Sequence, residues 1–341
     1  MPHLFATSYS TLSAPALASF VTETYALGSA HCQFLARGVG DTYLITAPDE
    51  RFILRVYRSS HRDLSQIEAE TELLTALKAA DVSVSYPVAD RSGKFIQALP
   101  AAEGTRHAVL FTYAPGRSVA VFNKKQLQLL GHQMAKFHHV SSTIKLRNQR
   151  WNINLETTLF QPLEAVKGAF SENQEEYAWL QEATQKVQAH LAKLHTSSFS
   201  TGYCHFDFFP NNFHFEGDGK LTLFDFDFFG HGWLVNDLMT FWQHLCLDVH
   251  FGKMPQETAD AAFAVLVEAY REFRPVSEEE LAAIPYLGLG FWLFYLGFYT
   301  THDQFYPLLQ NPHLKMRMTF IRQILERSWG NGPKTEPSFG S

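Results

Sequence analysis

The chain has little cysteine, no run of basic residues and one long stretch without any charge, and each absence closes off a class of function. Cys32, Cys204 and Cys246 are too few and too scattered for a disulfide framework or a CxxC metal site. Reduced thiols in a cytoplasm are the expectation that follows. With no Lys/Arg-rich run and a formal net charge of -6, the chain lacks the basic face that a nucleic-acid partner requires. The opening segment MPHLFATSYSTLSAPALASF has no basic part followed by an unbroken apolar one, so no signal peptide is expected. No internal repeat of fixed period is present.

The uncharged stretch runs from Leu281 to Thr300 and is long enough to cross a bilayer. It contains Pro285 and three glycines, follows Glu278, Glu279 and Glu280, and precedes His302 and Asp303. The Lys/Arg bias that flanks a membrane span is missing. A buried helix at the centre of a helical lobe, with no membrane partner, is the reading. Hydrophobic residues make up 46% of the chain and charged residues 18%, which suits a globular protein.

Patterning divides the chain near Ala114. After Ser13, Leu17, Phe20, Val21 and Tyr25 recur at helical spacing, with Gly28 as the expected C-cap. Short apolar runs at His31–Leu35, Tyr43–Thr46 and Arg51–Tyr57, separated by GVGD and APDE, predict antiparallel strands. A helix is predicted over Leu64–Ala79, then strands around Ser83–Val88, Lys94–Ala98 and His107–Tyr113. Helices dominate afterwards, within Lys124–His139, Asn173–Lys193, Val235–Leu247, Gln256–Phe273, Ser277–Thr300 and Lys315–Trp329. The expected architecture is α+β: a small antiparallel-sheet lobe over residues 1–113, a larger helical lobe over 114–330, and a disordered Gly/Pro/Ser-rich tail over 331–341.

The chemistry concentrates between Tyr203 and Leu238. There the chain reads His205-x-Asp207-x-x-x-x-Asn212, then Asp225-x-Asp227, then Gly230-x-Gly232 and Asp237. Phe213–Phe215 and Leu221–Phe224 flank the turn Glu216-Gly217-Asp218-Gly219, which predicts a hairpin bringing Asn212 beside Asp225. Oxygen-bearing side chains grouped in this way suit a hard cation such as magnesium, with nucleotide phosphates completing its shell. Phosphoryl transfer needs a separate carboxylate to orient the acceptor hydroxyl. Asp207 fits that base position, with Asn212 and Asp225 as metal ligands. Asp227 is open between a second metal ligand and a loop stabiliser. Asp218 reads as a turn residue, and Asp237 as a cap of the helix that follows it. His205 reads as a buttress of the loop.

This segment resembles the family of aminoglycoside phosphotransferases, choline kinases and homoserine-kinase-like enzymes, which have a protein-kinase-like two-lobe fold. Their motif is similar to H-G-D-x-x-x-x-N followed by D-x-D-x-x-x-G, and the likeness extends from about Ser13 to Trp329. The resemblance implies ATP as phosphate donor and Mg2+ as its partner. It further implies that Arg55 holds the α/β-phosphates, that Glu70 holds Arg55, and that Gly38 and Gly40 cover the phosphates. Thr112, Tyr113 and Ala114 would then form the adenine hinge. Three details depart from the family: Arg55 stands in place of lysine, Phe206 in place of the motif glycine, and the phosphate loop is poor in glycine. Arg55 also has the plainer reading of a solvated strand residue beside Arg58.

The expected function is an ATP- and Mg-dependent phosphotransferase acting on a small-molecule hydroxyl, in a monomer or homodimer. Amino alcohols, homoserine-like and choline-like compounds and aminoglycosides are the open acceptors. A nucleotide-binding pseudokinase and a protein serine/threonine kinase of the same fold are the alternatives.

Overall fold

The computed structural model describes residues 5–148 and 150–330, so the tail expectation for 331–341 lies outside the described residues. The chain separates into two compact units. One is Met1–Pro115 with Lys145–Gln149 and Thr222–Phe224; the other is Gly116–Ile144, Arg150–Leu221 and Asp225–Ser341.

In the first unit, helix α1 (Ala14–Tyr25) precedes strands β1 (His31–Arg37), β2 (Asp41–Thr46) and β3 (Arg51–Val56). Helix α2 (Leu64–Ala79), β4 (Ile96–Ala101) and β5 (Gly104–Thr112) follow. The strands form one antiparallel sheet in the order β1-β2-β3-β5-β4. Period-two alternation on β3 buries Phe52, Leu54 and Val56 in one core with Leu17, Val21 and Tyr25 of α1, leaving Ile53 and Arg55 on the other face. Helix α2 begins at a reciprocal capping box between Asp63 and Gln66, which satisfies two otherwise unpaired N–H groups.

Two local expectations fail. Ala26, not Gly28, is the C-cap of α1, left-handed at φ 58, although Gly28 two residues on is left-handed as well at φ 68. Ser83–Val88 is not a strand: it makes only isolated bridges, Val84 to Leu223 and Pro87 to Phe111. Pro87 has no N–H to give to a ladder, so the segment cannot continue as one.

From Gly116 onward the chain is mostly helical. It runs through α3 (Lys124–Ser141), β6 (Asn152–Ile153), α4 (Gln161–Val166), α5 (Gln174–Leu191), β7 (Thr201–Cys204), β8 (Phe213–Glu216) and β9 (Lys220–Leu223). Then come β10 (Gly230–Trp233), α6 (Val235–His250), α7 (Gln256–Arg271), α8 (Glu278–Tyr299) and α9 (His313–Gly330). The hairpin foreseen after Asn212 is β8–β9, and β10 lies between β6 and β7 in a three-stranded sheet. Helix α8, the uncharged stretch, starts at a Ser277–Glu280 capping box and packs against α4, α5, α6 and α9. Neighbours on all these sides explain an apolar composition that needs no bilayer. On α3, a Cβ at Gly131 would meet the Leu266 carbonyl at 2.4 Å, so glycine sets how closely α3 and α7 approach.

The first unit also buries an ion pair. Arg106 Nη1 lies 3.0 Å from Asp41, with 1% and 0% of the side chains exposed. The same guanidinium donates to the carbonyls of Ser10, Val56 and Tyr57. Removing one partner of such a pair leaves a buried charge uncompensated, which is far costlier than the pair is stabilising. Asp41→Asn is therefore expected to lower unfolding free energy by about 3–5 kcal/mol. Denaturant titration would measure it, and a loss below about 1 kcal/mol would show that the pair is dispensable.

Candidate active site

The second unit fixes its polar loop from beneath. Strand β7 ends at Cys204, and the next two residues give their backbone N–H groups to one carboxylate. His205 N lies 2.8 Å and Phe206 N 2.7 Å from Asp237, in the first turn of α6. Asp237 is fully buried and also 2.9 Å from His138 Nε2 on α3, whose Nδ1 is 2.9 Å from the Tyr270 hydroxyl on α7. One turn further along α6, Thr240 Oγ1 accepts the Phe208 N–H at 3.2 Å. Asp237 was expected to cap its own helix. Its side chain instead turns to the loop, where it accepts the His205 and Phe206 N–H groups and meets His138.

This clamp holds an unusual backbone. Phe206 has φ 63, the left-handed region that disfavours side chains. That accounts for the family's preference for glycine here. Phenylalanine is accommodated by packing: its ring is buried edge-on to Trp151, Phe291 and Phe294, at centroid distances of 5.3, 6.1 and 5.3 Å. It points inward. His205 is equally buried, its ring 4.4 Å from that of Phe226 and 5.1 Å from that of Phe208.

Asp207 is gripped from two sides. Asn212, within the turn Pro210–Asn212, donates its amide to the Asp207 carbonyl at 2.8 Å and to its carboxylate at 2.7 Å. The Tyr295 hydroxyl, from α8, donates to the same carboxylate. Burial, and then the negative charge of Asp225, push the Asp207 carboxyl up to about 7. Asp225 follows the β8–β9 hairpin, is exposed, and has φ 63. Asp227 differs: its side chain is buried, and Arg150 donates to its backbone carbonyl.

The first unit presents the other expected residues. Arg55 Nη1 lies 3.4 Å from Glu70 on α2, and the Tyr57 hydroxyl donates to the other Glu70 oxygen at 3.0 Å. Glu70 is buried and Arg55 about one-sixth exposed, so this arginine is a held cation rather than a solvated strand residue. Gly38 and Gly40 form the β1–β2 turn, where a Cβ on Gly40 would come within 2.8 Å of the Val56 carbonyl. Thr112 gives its N–H to Tyr86, and its carbonyl accepts the Ser85 hydroxyl. Its backbone is thus engaged within the unit, and Tyr113 and Ala114 follow it in the chain.

A metal fits the donor set. Among the described residues no group of three or more His, Cys, Asp or Glu side chains could hold one alone. Asp225 with the Asn212 amide oxygen gives hard oxygen donors of the kind magnesium takes with nucleotide phosphates. A carboxylate near enough to Asp207 to raise its proton affinity marks a place where added positive charge is favoured.

Sequence reasoning missed Asp237 and His138 as anchors of the loop, and Tyr270 and Tyr295 altogether. A signal existed for one of them: Tyr295 is a hydroxyl in the uncharged stretch Leu281–Thr300, where a buried polar group calls for a partner.

A model described as "Phosphotransferase enzyme family" matches residues 31–276. An uncharacterized protein of Deinococcus radiodurans is 30% identical over 325 residues, covering 95% of this chain and 93% of its own. A homoserine kinase of Methylobacterium radiotolerans is 28% identical over 284 residues, covering 83% and 84%. Among solved structures, the amicoumacin kinase hAmiN, in complex with AMP-PNP and Ca2+, aligns with a TM-score of 0.69 at 21% identity, over 93% of this chain and 94% of that one. The fold is therefore protein-kinase-like.

The anchoring role of Asp237 can be tested without any substrate. Asp237→Ala leaves three buried donors without an acceptor and is expected to cost about 3 kcal/mol or more in urea unfolding. Hydrogen exchange at the His205 and Phe206 amides should rise with it. Unchanged exchange at both amides would show that the loop is held by something else.

Proposed function

The chain belongs to the phosphotransferase enzyme family, as a small-molecule kinase with a hydroxyl acceptor, and we propose that its donor is MgATP and that Asp207 is its base. The observation that carries this reading is the state of Asp207. Its carboxyl is held at about 7 and pinned by Asn212, with Asp225 close enough to couple to it. A base with that proton affinity is available near neutral pH and still takes a proton as the acceptor oxygen attacks.

The roles follow from the residues. Asp207 orients the acceptor hydroxyl and receives its proton while that oxygen bonds to the γ-phosphorus and the bond to the ADP oxygen breaks. Magnesium, held by Asp225 and the Asn212 amide oxygen, would spread the negative charge of the transferring group. Arg55, fixed by Glu70, would hold the α/β-phosphates as a fork rather than a point charge. Tyr113 and Ala114 offer backbone groups to adenine. His205 and Asp227 are assigned to holding the loops: the His205 ring packs against Phe208 and Phe226, and the Asp227 carbonyl accepts from Arg150. The acceptor belongs among amino alcohols, hydroxy amino acids, choline-like compounds and aminoglycosides. The homoserine kinase relative supports the second of these.

Asp207→Asn is expected to lower kcat by about 10²–10⁴-fold while leaving the Kd for AMP-PNP within a few-fold. Coupled ADP release and calorimetry measure the two, and normal turnover would remove Asp207 from the mechanism. The pH dependence has a definite sign. Only the deprotonated carboxylate is a base, so kcat/KM rises with pH through an inflection near 7 at low magnesium. Raising magnesium offsets the charge of Asp225 and moves that inflection to lower pH. A profile that is flat across it, or an inflection that moves upward, contradicts the assignment.

A further inference from the structure

Helices α8 and α9 extend the candidate site by a run of contacts that the phosphotransfer set does not use. Tyr295 donates its hydroxyl to Asp207. One turn along α8, Tyr299 lies with its ring 6.2 Å from that of Tyr295 and close enough for the Asp207 charge to raise its pKa, alongside burial as the main cause. Arg317 of α9 lies over the Tyr299 ring, 5.0 Å from its centroid, and its Nη1 reaches the Tyr299 hydroxyl at 3.4 Å. The Arg317 Nε is buried and has no hydrogen-bond partner. Among the described residues no carboxylate forms an ion pair with Arg317.

A guanidinium offers five N–H donors in a planar fork that matches a carboxylate. Here one donor makes a long bond to a phenol and another is buried without an acceptor. Buried donors in native proteins are paired, so the exception asks for a missing partner. At the other end of the run, the Tyr295 hydroxyl occupies a position on Asp207 where an acceptor hydroxyl would sit. Between the two ends, the Tyr295 and Tyr299 rings are 6.2 Å apart and Arg317 lies over the second of them. Such a run suits a short hydroxy acid, its hydroxyl at Asp207 and its carboxylate at Arg317. Phe228, 5.5 Å from Tyr295 ring to ring, would line its apolar middle.

We propose that Arg317 binds a carboxylate on the acceptor whose hydroxyl replaces that of Tyr295 at Asp207, so that the substrate is a small hydroxy acid or hydroxy amino acid. This deepens the kinase reading and rests on it for the fate of the hydroxyl. It selects among acceptors on physical grounds. A choline-like or simple amino-alcohol acceptor would leave the Arg317 fork unpaired and bring a second positive charge towards it, whereas a carboxylate satisfies it.

Matched probes separate the possibilities. L-Homoserine, L-homoserinamide and 3-amino-1-propanol share one hydroxyl and one amine and differ in whether a carboxylate is present, neutralised or absent. 4-Hydroxybutyrate keeps the carboxylate without the amine. Each is titrated calorimetrically into the full chain with AMP-PNP and magnesium, and offered with ATP while ADP and phosphorylated product are followed. Carboxylate-bearing probes should bind and turn over, with the amide and the amino alcohol weaker by about 10–100-fold in kcat/KM. Arg317→Gln should raise KM for the carboxylates by a similar factor with kcat little changed, and should leave the amino alcohol unaffected. Arg317→Lys keeps the charge and should recover part of the loss, which a merely structural arginine would not show.

Equal turnover of amide and acid overturns the proposal, as does an unchanged KM in Arg317→Gln or no binding of any hydroxy acid. In each of those cases phosphorylation of an amino alcohol leaves the kinase reading standing. Conversely, hydroxy-acid binding that is lost in Arg317→Gln, with no phosphorylated product from any probe, keeps the carboxylate site and sinks the kinase reading.

Discussion

Two consecutive backbone N–H groups, those of His205 and Phe206, end on the single buried carboxylate of Asp237, and the geometry of the candidate site depends on that meeting. Neighbouring amides can point the same way only if the chain takes a twisted local conformation, and Phe206 pays for it with a positive φ. A left-handed side-chain-bearing residue costs roughly 1–2 kcal/mol, a strain that persists only where surroundings over-determine it. The surroundings here do. The carboxylate sits on the first turn of a helix, His138 and Tyr270 back it from α3 and α7, and the Phe206 ring is enclosed by aromatics. Asp207 is the next residue along, so its direction is set by groups that touch no ligand.

That rigidity has an electrostatic consequence. A carboxylate that cannot swing to water keeps its desolvation, and the charge of Asp225 adds to it. In the folded chain Asp207 therefore binds its proton more tightly than in the unfolded one, where its ordinary value is 3.8. The sign for stability follows: the folded state is destabilised relative to the unfolded one as pH rises from 3.8 towards 7, because only the unfolded chain ionises freely in that window. The site is thus held partly against its own charge repulsion. Cation binding beside Asp225 would relieve it, which couples metal affinity to the readiness of the base.

What was legible in the sequence was what is close in sequence. Asp207 and Asn212 share one turn and Asp225 follows one hairpin later, so spacing alone could group them. Helix α2 was legible end to end because its apolar face recurs at the helical period. The Arg55–Glu70 pair was reachable only through family likeness, since strand and helix carry no mark of facing each other. Asp237, His138 and Tyr270 lie on three helices, where a lone polar residue reads as a cap or as surface. Their meeting is a product of tertiary packing. Ser83–Val88 misled for the opposite reason: its composition suits a strand, but Pro87 cannot join a ladder. The glycine-to-phenylalanine departure at Phe206 could be seen in the sequence, yet its harmlessness could not, because the φ angle and the aromatic socket are both three-dimensional facts.

The uncharged composition of α8 has the same origin. It packs among other helices and also supplies the wall beside Asp207, so two demands fall on its residues at once. A lysine or arginine on that wall would pull the Asp207 carboxyl back to the ordinary carboxylate range and take away its capacity as a base near neutral pH. An aspartate or glutamate would push it higher still. Phenol hydroxyls escape both problems: Tyr295 is neutral, its pKa raised well above 10 by burial and then by Asp207, yet it can still donate a hydrogen bond. A helix long and apolar enough to resemble a membrane span is therefore the composition expected of a packing core that must also leave a nearby carboxylate's proton affinity undisturbed.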